Sequence, residues 1–107
     1  MSNKYPPATD EQGVKRVYKA LVEAGYTIGV QDGAHEEFPA PMSKKDAVAE
    51  VMSCDDGFFI VHNDGTTHQA DRFGYVYFVF GNDPGEVVCD YTTNLEHVIG
   101  PLTENWL

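Results

Sequence analysis

From Val14 the apolar residues Val14, Val17, Tyr18, Leu21 and Val22 recur every three or four positions, the stripe of an amphipathic helix. Thr9 with Gln12 three residues later is a capping box, and Gly25 falls where a helix ends in a left-handed residue. The spacing therefore predicts a helix over residues 10–24, with Lys15, Arg16, Lys19 and Glu23 on a solvated face and Gly13 weakening its first turns. Tyr26 to Val30 reads as a short strand, and residues 31–41, with Gly33, Pro39 and Pro41, as a loop. Ser43 and Asp46 make a second cap. The apolar stripe Ala47, Val48, Val51 and Met52 predicts a shorter helix that ends before Asp55, Asp56 and Gly57.

After Gly57 the period becomes that of strands. Phe58 to His62 is rich in strand formers, Asn63-Asp64-Gly65 is a hairpin turn, and Thr66 to Ala70 is the expected return strand. Tyr75 to Phe80 is apolar on both faces, so it is expected to be a central strand covered on each side or nearly so. Gly81 to Gly85 turns the chain and Glu86 to Tyr91 comes back beside it. Thr93 with Glu96 is a third capping box, opening a helix through Ile99 that Gly100-Pro101 is expected to stop before a tail ending in Trp106-Leu107. Consecutive hairpins imply an antiparallel sheet. The expected class is α+β: a meander of four to five strands with two to three helices on one face. The 107 residues are read as a single domain, with residues 1–8 expected to be disordered.

Charge changes this picture. Residues 1–45 hold six basic and six acidic side chains, whereas residues 46–107 hold eleven acids against the single Arg72, so the whole net charge of −10 lies in the second part. That part is also rich in aromatic residues, which argues for a folded chain rather than an acidic disordered one. The polar, proline-containing start has no signal-peptide core, and no apolar run reaches membrane length, so a cytoplasmic protein is expected. Uncompensated carboxylates repel phosphates, which disfavours direct binding of nucleic acid.

Catalytic chemistry has little support. Cys54 and Cys89 lack metal spacing and are expected to be buried reduced thiols. With Asp64 and Gly65 as the hairpin loop, Val61 would face His68 and His62 would face Thr67, placing His62 and His68 on opposite faces as solvated turn residues. Cys89 could approach His97, but no neighbouring lysine or arginine is present to activate it as a nucleophile. The glycines four apart, Gly25 with Gly29 and Gly81 with Gly85, lack the lysine and hydroxyl residue of a phosphate loop, and no serine sits in a nucleophile elbow. No catalytic, cofactor or metal residue is assigned.

What remains is a surface. Phe73, Tyr75 and Tyr77 alternate with Val76, Phe78 and Phe80, so one set faces the helices. The other set forms an apolar patch rimmed by acids, unless the loop 31–41 or the Trp106 tail covers it. Strand carboxylates two residues apart are ~6.6–6.8 Å apart, the scale of neighbouring backbone phosphates. Asp55, Asp56, Asp64, Asp71, Asp83, Glu86, Asp90 and Glu96, with Tyr75 and Tyr77, are thus the candidate partner-binding residues.

In size, charge and lack of motifs the chain resembles the small acidic proteins by which phages and plasmids block restriction or CRISPR systems. The stretch from Val76-Tyr77-Phe78-Val79-Phe80-Gly81-Asn82-Asp83 through Asp90-Tyr91-Thr92-Thr93-Asn94-Leu95-Glu96 also looks like small phage and plasmid proteins. The resemblance implies a non-enzymatic inhibitor that mimics DNA with carboxylates and engages a basic surface on a restriction or CRISPR complex in a bacterial host. Two other readings stand beside it. One is a small ligand- or metal-binding domain or enzyme using His62, His68, Cys89 or His97. The other is an oligomeric structural module, such as a homodimer through the apolar patch.

Overall fold

The computed structural model describes residues 6–31, 42–63, 72–104 and 106. Its elements run α1 (Asp10–Glu23), β1 (Tyr26–Gln31), α2 (Lys44–Val51), β2 (Asp56–Asn63), β3 (Arg72–Val79), β4 (Val88–Tyr91) and α3 (Glu96–Thr103). Short 3₁₀ turns at Pro84–Glu86 and Thr93–Leu95 flank β4. The strands form one antiparallel meander in the order β1-β2-β3-β4. This is the expected α+β fold.

The period-2 pattern decides which side of the sheet takes the helices. Ile28, Phe59, Val61, Val76 and Phe78 point to one face, where they are buried with Val14, Val17 and Leu21 of α1 and Ala47, Val48 and Val51 of α2. The rings of Phe59 and Phe78 meet edge to face at 4.9 Å, and Tyr18 reaches Phe59 at 6.0 Å. Each such side chain contributes ~1.5–3 kcal/mol by leaving water.

The cap of α1 forms as its residues dictate: Thr9 Oγ1 accepts from the Gln12 N–H at 3.1 Å. The Gln12 side chain accepts from the Ala8 N–H at 2.9 Å, one residue before the expected reciprocal partner. Of the N-terminal stretch 1–8, residues 1–5 lie outside the described residues, whereas Pro7 is buried. Gly25 adopts a φ of 99° at the helix end.

Gly13 has a packing reason. A Cβ there would come within 2.7 Å of Val87, 3.3 Å of Pro7 and 3.6 Å of Trp106. Trp106 is 2 % exposed and belongs to this core. Trp106 therefore packs on the helical side of the sheet and not on its other face.

Three expectations are corrected. The strand paired with β2 is Arg72–Val79, with Val61 opposite Gly74 and His62 opposite Arg72, so Val61 does not face His68 and His62 does not face Thr67. Asn63 ends β2, whereas Asp64 and Gly65 of the turn and the expected strand Thr66–Ala70, with His68, lie outside the described residues, as does Asp71. Second, Gly100-Pro101 does not stop the last helix, which continues to Thr103 with Pro101 inside it. Proline removes the bond to the His97 carbonyl, and burial of Ile99 and Leu102 on either side of it offsets that loss.

Third, Thr93 does not cap a helix; it opens a 3₁₀ turn that has no side-chain cap. Tertiary bonds take the groups instead. Thr92 Oγ1 accepts from the Tyr75 N–H at 3.2 Å, and Glu96 accepts from the Tyr91 hydroxyl at 3.1 Å.

Candidate functional site

On the face of the sheet turned away from the helices, alternation brings together Phe58 of β2 and Tyr75 and Tyr77 of β3. Phe58 stacks on Tyr77 with ring centres 4.6 Å apart and meets Tyr75 edge to face at 5.5 Å. All three rings are half-buried. The paired positions Phe58↔Tyr77 and Ile60↔Tyr75 explain this contact, because directly opposed residues hold their Cβ atoms ~4.5–5.5 Å apart.

Acids flank the rings on both sides. The Tyr77 hydroxyl donates to Asp56 Oδ2 at 2.6 Å, from the start of β2. The Tyr75 hydroxyl lies at the outer limit of bonding, 3.5 Å, from Asp90 Oδ2 on β4. The other Asp90 oxygen accepts from the Tyr91 N–H at 2.9 Å. Both aspartates are exposed, and neither has an ion pair among the described residues. The bond to Asp56 holds the Tyr77 hydroxyl above its ordinary pKa of 10.0, helped by desolvation and by the charges of Asp56 and Cys89.

β4 is an edge strand, and its pairing shifts between Tyr77↔Asp90 and Phe78↔Val88. Cys89 is the extra residue of this bulge. A bulge re-aims side chains and breaks the regular ladder of an edge. Cys89 is exposed, and so is Cys54, which corrects the expectation of buried thiols. Cys54 lies just after α2, where the chain turns outward, and Cys89 lies on an uncovered edge.

The candidate acids do not all converge. Asp56 and Asp90 share the aromatic face. Their Cα atoms sit two strand spacings and two residues apart, on the order of 12 Å, wider than neighbouring phosphates. Asp83 spends a carboxylate oxygen on the Gly85 N–H at 2.9 Å, capping the 3₁₀ turn where Glu86 also sits. Asp55 is exposed beside Asp56, and its carbonyl accepts from the Phe80 N–H at 3.0 Å. Glu96 belongs with Tyr91 on the helical side. Burial and Glu96 raise the Tyr91 pKa from 10.0, burial being the larger cause.

The histidines are not joined into a site among the described residues. His62 is fully buried in β2, which corrects its reading as a solvated turn residue. On the same face Ile60 is 2 % exposed, so the sheet is covered beyond Tyr75 although it is open around Tyr77. His97 Nε2 lies 3.3 Å from the Tyr26 hydroxyl at the β1 edge. No hydrogen bond joins His97 to Cys89, which lies on β4 at the opposite edge of the sheet from β1. No group of three or more His, Cys, Asp or Glu among the described residues could hold a metal ion. No described helix is long and apolar enough to cross a membrane.

Phe58 was not among the expected site residues, although its place two positions after Asp56 puts both on one face of a strand. Comparison with models of protein families, with curated proteins and with solved structures found no match.

Proposed function

We propose that this protein is a non-enzymatic binding module whose face around Phe58, Tyr75 and Tyr77 docks on a basic protein surface. The carrying observation is the bond from the Tyr77 hydroxyl to Asp56, which orients an exposed carboxylate at the rim of an aromatic patch. Such a patch matches an arginine or lysine of a partner: the stem packs on the rings while the charged head meets a carboxylate. Asp90 on the opposite rim repeats the arrangement at longer range.

In its more specific form, the partner is a nucleic-acid-handling complex of a bacterial host, of restriction or CRISPR type. The carboxylates would stand where phosphates bind, as in the small acidic proteins this chain resembles. The net charge of −10 supports it, since a basic channel attracts such a chain at long range.

Capture of partners from bacterial lysate at low and high salt, with wild type and the double variant Asp56→Asn/Asp90→Asn, tests the reading. A partner retained at low salt, displaced by DNA and lost in the variant is the expected result. A partner held equally by the variant, or indifferent to salt, would count against it.

A further inference from the structure

The acidic sheet face has a counterpart on the helical side. Lys15 of α1 and Lys44 and Lys45 of α2 line one open cleft of about 290 Å³, together with Glu11, Val48 and Ala49. Three of the seven basic residues of a chain carrying −10 thus meet in one place. Glu11 holds Lys15 at 2.7 Å. Lys44 and Lys45 have no ion pair among the described residues. They also occupy the first turn of α2, where the helix dipole favours anions and disfavours cations. Asp46 in the same turn and Glu11 offset part of this positive charge, and a bound anion would offset the rest.

The geometry points to a second binding site in this cleft, for a small phosphate-bearing ligand. Lys44 and Lys45 would contact the phosphate oxygens, assisted by Lys15. Val48 and Ala49 form an apolar wall that suits the carbon body of a phosphomonoester. Glu11 opposes a charge placed close to it, so the phosphate belongs on the α2 side of the cleft. The acids of the sheet do not forbid the site, because exposed charges beyond ~8–10 Å are largely screened at physiological salt. The site is independent of the sheet face and of any partner bound there.

The test is an NMR titration of the isotope-labelled full chain with phenyl phosphate, inorganic phosphate, inorganic pyrophosphate and, as an ionic-strength control, sodium chloride. The expected result is a saturable shift of amides around residues 43–49 with phenyl phosphate or pyrophosphate, absent with chloride. Affinity should fall about tenfold or more in Lys44→Gln/Lys45→Gln and stay unchanged in Asp56→Asn/Asp90→Asn. Stronger binding of phenyl phosphate than of inorganic phosphate would assign a role to the apolar wall. Equal binding would restrict the site to the bare anion and overturn the phosphomonoester assignment. Shifts that chloride reproduces, or that persist undiminished in the lysine variant, would overturn the site itself. Because Lys44 and Lys45 are exposed, the variant is expected to fold, and its unperturbed core resonances would verify this.

Discussion

The Tyr77 hydroxyl and the Asp56 carboxylate, 2.6 Å apart, join the central strand to the start of its neighbour on the open face of the sheet. The phenol donates and the carboxylate accepts, so ionising Tyr77 would set two negative oxygens against each other. In Asp56→Asn the Tyr77 titration should therefore move down toward 10.0. Phenolate absorbance against pH, compared with Tyr77→Phe to assign the signal, checks this. An unchanged titration would mean that the bond does not persist in solution.

Alkaline stability should follow the same chemistry. Tyr18, Tyr77 and Tyr91 all have pKa values raised above 10.0 in the folded chain: Tyr18 by burial, Tyr77 first by its bond to Asp56, and Tyr91 first by burial. The unfolded chain then loses these protons before the folded chain does. The stabilisation is complete below pH 10 and is lost as pH rises through the folded values. Urea midpoints measured on either side of pH 10 should show the decline, and Tyr91→Phe should reduce it.

Gly74 stands where β3 meets the turn after β4. A Cβ there would collide with Thr92 Oγ1, and would lie 3.0 Å from Asn94 Oδ1 and 3.3 Å from Leu95. Since Thr92 is tied to Tyr75 through both its backbone and its hydroxyl, the clash is not relieved by a simple rotation. Gly74→Ala should cost ~1–3 kcal/mol, an overpacking effect measurable by denaturant unfolding.

Trp106 should matter to the fold despite its place next to the end of the sequence. It is buried against α1 and the Pro84–Glu86 turn, and the Arg16 guanidinium lies 5.8 Å from its ring centre. Trp106→Ala is expected to cost ~3–5 kcal/mol in unfolding experiments. A blue-shifted fluorescence maximum of the wild type, lost on unfolding, would accompany it.

Both thiols should react with a water-soluble disulfide reagent in the native state, because Cys54 and Cys89 are exposed. Bulky modification of Cys89 should weaken capture of the partner, whereas modification of Cys54 should not. Single Cys→Ser variants separate the two. Slow reaction matching global unfolding would contradict the exposed placement.

Much of this architecture is legible in local pattern. The stripe Val14, Val17 and Leu21 with its Thr9 cap specifies α1, and the apolar run Tyr75 to Phe80 specifies an inner strand, although not that Tyr75 and Tyr77 would be only half-buried. These signals are local because a helix turn or a strand pleat involves only near neighbours.

What only the tertiary structure decided is where competing local signals yield. The Thr93–Glu96 capping signature gives way because Thr92 and Glu96 find partners in Tyr75 and Tyr91, and Pro101 stays helical because Ile99 and Leu102 are anchored in the core. The charge asymmetry along the sequence likewise becomes a pattern in space only after folding. The antiparallel register brings Asp56 and Asp90 to the rim of one aromatic face, while the packing of α1 on α2 gathers Lys15, Lys44 and Lys45 on the other side. Composition fixes how much charge the chain carries. Long-range pairing of strands and helices fixes which charges are neighbours.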